Sequence, residues 1–217
     1  EAHMQPVFDY CYENVRKKPG MPSETMVKGS QFNQPLLEFS GSCAGCAETS
    51  YARLVTQMFG EQMYISNATG CSSIWGGPAA TAPYTVNKVS GHGPAWANSL
   101  FEDNAEHGFG MYLGQKAVRD SLADKTRALI AIDYTYAGLK EAAQAWLDTM
   151  EDGKANAAAT EAYVAALKDA VVEGCTCEAC TIGREILDKK QYLAKKSIWI
   201  FGGDGWAYDI GFGGLDH

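Results

Sequence analysis

Apolar and polar positions fall in blocks along this chain, and the blocks predict an alternation of strands and helices. Residues 1–35 are polar and broken by Lys17-Lys18-Pro19-Gly20 and Met21-Pro22-Ser23, which predicts a connecting arm, not a core element. Leu36-Leu37-Glu38-Phe39 is a short apolar run that ends at Ser40-Gly41-Ser42, and it predicts a strand. Thr49 or Ser50 then offers a helix cap, because a hydroxyl there accepts a hydrogen bond from a free N–H of the first turn. Tyr51, Leu54, Val55 and Met58 follow at i, i+3, i+4 and i+7, one apolar helical stripe, and Gly60 ends it. Met63-Tyr64-Ile65-Ser66 reads as the next strand.

The pattern then breaks. Gly76, Gly77, Pro78, Pro83, Gly91, Gly93 and Pro94 make residues 76–96 too irregular for a hairpin; a long ordered loop of this kind covers or serves a site. Helix is predicted over 98–132, where Gly108 and Gly110 are weak points, and over about 138–151, 156–173 and 181–195. The helix over 156–173 carries Tyr163, Leu167, Ala170 and Val171 on one face. Ser197-Ile198-Trp199-Ile200-Phe201 has a buried-strand pattern. No internal repeat is evident. Strands separated by helices imply an α/β fold with a largely parallel sheet flanked by helices. Ligands bind such sheets at the carboxyl ends of the strands. The glycine-bearing loops 41–48, 66–77 and 202–214 each follow a predicted strand, so they can converge on one edge.

Composition narrows the class. The 217 residues are 46% hydrophobic, enough for a real core. The net charge of −8 argues against nucleic acid as a partner, because phosphate binding wants a basic face. No apolar run is long enough to span a membrane, and no secretory signal opens the chain, whose first residues include Glu1, Asp9 and Glu13. These features predict a cytoplasmic protein with no membrane partner. Met4 does not look like a natural start, and QPVFDYCYE at 5–13 reads as the interior of a longer protein. The seven cysteines (11, 43, 46, 71, 175, 177 and 180) are odd in number and clustered. That favours metal or redox chemistry in a reducing compartment over a disulfide framework.

Three constellations carry candidate chemistry. Cys43-x-x-Cys46 can turn two thiolates toward one metal centre, and Cys71 adds a third. Iron–sulfur clusters and zinc both take four ligands; a thioredoxin-like pair or two inert buried thiols fit the same spacing. Gly202-Gly203-Asp204-Gly205-Trp206 follows a strand. Its glycines let backbone approach a phosphate, the amides of a following helix would welcome an anion, and Asp204 is a hard ligand suited to Mg²⁺. A plain strand-to-helix turn capped by Asp204 fits as well. Cys175, Cys177 and Cys180 form a second cluster, C-x-C-x-x-C, with either a metal or ordinary loop thiols as its reading. His92, His107 and His217 read as loop or surface histidines. Glu102, Asp103 and Glu106 read as a solvated face or cap.

Together these segments resemble the pyruvate:ferredoxin (flavodoxin) oxidoreductases. The resemblance rests on GSQF at 29–32, FSGSCAGCAET at 39–49, NATGCSSIWGG at 67–77, GPAWANSLFEDNAEHGFGM at 93–111 and GGDGWAYDIGFGGLDH at 202–217. It extends from about Phe8 onward and is weakest across 120–195. It implies that 36–217 is part of a thiamine-diphosphate-binding domain, incomplete at its C-terminal end, with 1–35 an arm from a preceding domain. It implies that Cys43, Cys46 and Cys71 ligate a 4Fe–4S cluster whose fourth cysteine lies outside this chain. Glu48 and the Cys71 loop would contact thiamine diphosphate. Gly203, Asp204, Gly205 and Trp206 would hold the diphosphate, with Asp204 on Mg²⁺. No catalytic residue is assigned.

The activity implied is oxidative decarboxylation of pyruvate with coenzyme A, giving acetyl-CoA and CO₂ and passing electrons through the cluster to ferredoxin or flavodoxin. The remaining domains of a longer enzyme, a homodimer when complete, would be needed, so this chain alone is not expected to catalyse the reaction. The segment departs from the family in one cofactor loop, where Ala47 replaces the glycine of CAGCGET and asks for negative φ. Two other readings stay open on the residues alone: a zinc-binding structural module, and a thiamine-dependent decarboxylase without redox function.

Overall fold

A computed structural model describes residues 1–16, 18, 20–78 and 80–209. Ile210–His217, which complete the last glycine-rich motif and include His217, lie outside the described residues. Along the chain the elements are α1 (Gln5–Asn14), α2 (Val27–Ser30), α3 (Ala47–Phe59), β1 (Met63–Ala68), α4 (Cys71–Gly76), β2 (Ala95–Ser99) and α5 (Asn104–Ala131). They continue with α6 (Ala137–Asp148), α7 (Gly153–Ala170), α8 (Glu178–Asp188), β3 (Ser197–Phe201) and α9 (Asp204–Asp209). None of these helices is long and apolar enough to cross a membrane. The chain divides into two units, one of residues 1–108 with the described residues from Ser197 onward, the other of Phe109–Lys196.

The first unit is built on a parallel sheet in the order β2–β1–β3, as an α/β fold requires. β1 is central: Ile65 pairs with Trp96 on one side and Trp199 on the other. Ile65, Ser66, Asn67 and Ala68 are accordingly buried, the polar pair included. Buried polar groups must find partners, and here they find one another. Asn104, at the start of α5 and fully buried, accepts hydrogen bonds at Oδ1 from Ser66 (2.6 Å) and Ser99 (3.0 Å). Its amide donates to the Phe201 carbonyl at 2.9 Å. One side chain thus ties the carboxyl-terminal halves of all three strands. With the Ser66 proton on Asn104, the Ser66 oxygen accepts from His107 Nδ1 at 2.7 Å. His107 is therefore part of this network and not the surface histidine expected, whereas His92 is exposed. The helix approaches the sheet closely at Gly108, where a Cβ would sit 3.0 Å from Ile200 and 3.3 Å from Ser66.

Several sequence expectations need correction in this unit. Leu36–Phe39 is not a sheet strand. It makes one antiparallel bridge, Leu37 to Tyr84, supported by Glu38 N–H to Pro83 O at 2.9 Å and Thr85 N–H to Leu36 O at 3.1 Å. Phe39, at φ 55, then turns away and is 88% exposed. α3 begins at Ala47 with Cys46 as its cap; Thr49 lies inside and donates to Cys46 O at 3.2 Å. Its buried face is Ala52, Thr56 and Gln57, not the stripe led by Tyr51, which is 71% exposed. Asn98 and Ser99 belong to β2, so α5 starts six residues later than expected. β3 is half-buried along its length because it pairs on one side only.

The second unit is helical. Leu122, Leu129, Leu139, Trp146, Tyr163, Leu167, Ile186 and Leu193 form its core. The Trp146 and Tyr163 rings stand 5.9 Å apart, tilted by 32°. The helices match the expected segments with shifted ends. Asp152 explains the earlier start of α7, because its carboxylate accepts from Lys154 N (3.0 Å) and Ala155 N (2.9 Å) as an N-cap does. Arg119, largely buried, donates to Met150 O at 3.1 Å and Asn156 Oδ1 at 3.3 Å, which closes the α6–α7 turn onto α5.

Burial pushes the Tyr163 phenol from its ordinary 10.0 up to about 12, with a hydrogen bond to Thr126 acting the other way. The native state therefore keeps a proton that the unfolded chain gives up, so stability is full below pH 10 and is lost as pH rises toward 12. The complete loss is on the order of 2–3 kcal/mol. Comparing the alkaline unfolding of the protein with that of Tyr163→Phe should show this extra loss only where the phenol is present; parallel curves would refute the assignment.

Candidate functional site

Three loops meet at Gly203. β1 and β3 are neighbours, with Asn67 paired to Phe201, so the turns after both strands open at the carboxyl edge where ligands bind parallel sheets. A Cβ on Gly203 would lie 3.6 Å from each of Cys71 Cβ, Cys71 N and Glu48 Oε2. The missing side chain leaves space in a corner formed by the starts of α3, α4 and α9. The preceding Gly202 is required for a different reason. A Cβ there would fall 2.1 Å from the Trp206 ring, which folds back over the turn and is buried.

Each loop reaches this corner through local chemistry. In CAGC, the Cys46 N–H donates to Cys43 O at 3.1 Å, and Gly45 holds the positive φ (+77°) that the third position of a type II turn demands. Ala47 follows as the first residue of α3 and has negative φ, so its methyl group is accommodated in helix. Cys71 opens α4 behind Gly70, whose φ of +153° suits glycine. Ser73 clasps that turn, accepting from Gly70 N at 2.8 Å and donating to Gly70 O at 2.7 Å.

Electrostatics mark the same corner. Burial pushes the Glu48 carboxyl above its usual range; the Trp75 indole pulls the other way, and the Asp204 charge adds to the rise. Yet neither Glu48 Oε1 nor Trp75 Nε1 has a partner at full hydrogen-bond geometry, and both are buried. Tyr84 Oη, Ser72 Oγ and Trp206 Nε1 are buried and unpartnered too. Burial raises the Tyr84 phenol well above its ordinary value, and the Glu48 charge raises it further. Trp75 and Tyr84, 6.2 Å apart, are the residues that sequence reasoning missed; only the place of Trp75 in the NATGCSSIWGG segment hinted at it. Asp204 and Gly205 are exposed, with open space at Gly205.

These features fit a polar ligand that brings both donors and a cation. A cradle lacking a side chain, two mutually repelling carboxylates and a set of buried polar atoms without partners ask for a group such as a diphosphate–Mg²⁺ unit with a polar ring. The structure brings Glu48, Cys71, Gly203 and Asp204 together. Cys43 and Cys46 share one turn beside them. Among the described residues, the trio whose ligand atoms all lie within 4.8 Å of one another is Cys175, Cys177 and Cys180; the sulfurs of Cys43, Cys46 and Cys71 are spread more widely. A cubane, which places each thiolate on a different iron, needs a wider spread than a single ion does.

Known proteins are similar to this sequence. The chain is 50% identical to a stretch of the pyruvate-flavodoxin oxidoreductase of Klebsiella pneumoniae, over 100% of its own length and 18% of that protein's. It is 54% identical to the pyruvate:ferredoxin oxidoreductase of Moorella thermoacetica over 194 residues, 88% of this chain and 16% of that one. It is 46% identical to the mitochondrial pyruvate dehydrogenase [NADP(+)] of Euglena gracilis over 94% of this chain and 11% of the relative. This chain therefore spans less than a fifth of the length of these relatives. No family model matches it.

Proposed function

Because this chain belongs to the pyruvate:ferredoxin (flavodoxin) oxidoreductase family, we propose that it is the segment of such an enzyme that holds thiamine diphosphate beside a 4Fe–4S cluster. The observation that carries this reading is the convergence of Glu48, the Cys71 backbone and the bare Gly203 within 3.6 Å of one point. Gly203 and Gly205 give a diphosphate its room, and Trp206 fixes the turn that presents them. Asp204 holds Mg²⁺, a role that also relieves its repulsion with Glu48. Glu48 and the Cys71 loop face the thiamine. Cys43, Cys46 and Cys71 supply three thiolates to the cluster, and the fourth comes from outside this chain.

When bound, thiamine diphosphate supplies an electron sink for the loss of CO₂ from a 2-oxoacid, and the cluster supplies one-electron acceptance. The chain's own share is placement. α3 and α4 each start with a cysteine at or beside the cap, so the thiolates stand at the same edge as the diphosphate cradle. The half-buried Glu48 carboxyl, held above its usual proton affinity by burial and the nearby Asp204 charge, stands where it can contact the thiamine. The substrate on this reading is pyruvate, coenzyme A is the acetyl acceptor, and the electron acceptor is ferredoxin or flavodoxin.

The test uses the intact protein that carries this segment. Thiamine diphosphate with Mg²⁺ should bind, and ferredoxin or flavodoxin should be reduced only when pyruvate and coenzyme A are both present. Gly203→Leu should weaken thiamine diphosphate binding about 10- to 100-fold, the effect of overfilling a site by about 1–3 kcal/mol. Unchanged affinity in that variant, or reduction without pyruvate, would remove the proposal's basis.

A further inference from the structure

The turn between α7 and α8 carries a thiol cluster that the function above leaves unused. Val171 leaves α7 in extended backbone, Gly174 turns the chain at φ +76°, and Cys177 caps α8. Those local choices gather three sulfurs. Cys175 Sγ lies 3.2 Å from Cys177 Sγ, the Cys180 N–H donates to Cys177 Sγ at 3.5 Å, and all three sulfurs lie within 4.8 Å of one another. Cys180 is buried and the other two are partly so. Close packing fixes the frame around them: a Cβ on Gly183 of α8 would fall 2.5 Å from Val171 at the end of α7.

The spacing decides the class of ligand. A tetrahedral ion with metal–sulfur bonds of about 2.3 Å sets its sulfurs about 3.8 Å apart. The one sulfur pair at 3.2 Å is shorter than that edge and every pair lies within 4.8 Å, a range a single ion can close on. They are too short for thiolates on separate irons of a cubane, and a disulfide would join one pair and leave the third sulfur without a role. An all-thiolate set selects soft or borderline ions over Mg²⁺ or Ca²⁺.

We propose that Cys175, Cys177 and Cys180 bind one zinc ion. Binding takes the three thiols to thiolates and releases their protons to solvent. No electron moves. The ion pins the start of α8 to the turn that leaves α7, so its role is structural.

The test again uses the intact protein, purified without oxygen and analysed for zinc and iron. One zinc per chain is expected, and zinc-edge X-ray absorption should show three sulfur neighbours at about 2.3 Å. Cys177→Ser should lose the zinc and keep all of its iron. Absence of zinc, zinc retained by that variant, a shell without sulfur, a Cys175–Cys177 disulfide in the mass of the intact protein, or iron lost with Cys177→Ser would each overturn the proposal. If the variant fails to fold, the absorption spectrum of the unaltered protein decides. Iron bound through Cys43, Cys46 and Cys71 is read from the same samples, so failure of the functional proposal shows separately from failure of this one.

Discussion

Cys71→Ala in the intact protein is expected to remove about four irons and four acid-labile sulfides per chain and to abolish pyruvate-dependent reduction of the electron acceptor. The change should be large because a cluster that loses one of its thiolates rarely keeps its irons. It should also be specific. Cys71 is exposed at the first position of α4, so no core packing goes with it. The turn that presents it is held by Ser73 and Gly70, and the buried Trp75 anchors the helix. Circular dichroism should therefore stay unchanged while the brown colour is lost. Cys43→Ala should behave alike, and Cys177→Ala should keep its iron. Iron and sulfide analysis under anaerobic conditions settles the matter; a Cys71→Ala protein with its full iron content would disprove the ligand assignment.

Trp146→Ala is expected to destabilise the helical unit by about 3–5 kcal/mol. Trp146 has no exposed surface, stacks at an angle on Tyr163, and donates its indole N–H to the Leu193 carbonyl at 3.1 Å. Truncation leaves a cavity at the centre of the core and a carbonyl without its donor. Trp146→Phe separates the two effects, because it keeps most of the volume and loses only the hydrogen bond, at about 1–3 kcal/mol. Amide hydrogen exchange in α6, α7 and α8 of the intact protein gives the readout. Protection should fall by roughly two to four orders of magnitude in the alanine variant, since each factor of ten is about 1.4 kcal/mol. Loss of less than tenfold would mean that this core does not depend on Trp146.

Much of the fold was legible from the apolar pattern. β1, β3, α6 and α7 appeared where strong runs or alanine-rich helical faces stood in the sequence. β2 did not, because Ala95-Trp96-Ala97-Asn98-Ser99 has weak strand propensity and owes its conformation to pairing with β1. Leu36–Phe39 misled for the opposite reason: the run is apolar, yet Phe39 turns out of the plane after one bridge. On α3 the large residues suggested the wrong face. The buried face is lined by small and polar side chains because the packing there is tight, as at Gly60, where a Cβ would be 2.8 Å from Leu36. The glycines and cysteines of the candidate site could be read as motifs. Asn104 and Trp75 stood inside segments of the family resemblance without a role of their own, and Tyr84 stood in none, since an isolated asparagine or aromatic residue carries no periodic or spacing signal. They matter only through neighbours that are distant in sequence.

The Asn104 junction also has a consequence in time. Met63 of β1 pairs with Ser197 of β3, and the whole helical unit is encoded between them. On a ribosome adding about 5–20 residues per second, β3 emerges on the order of ten seconds after β1. Until then one edge of the central strand stays open and the Asn104 amide lacks the Phe201 carbonyl. Until β3 is made, β1 can pair only with β2, for as long as the inserted helices take to be translated. Those helices rely on local contacts and can fold in that interval. The Gly203 corner cannot exist before β3 docks, so any ligand of that corner can bind only after the helical unit has been made.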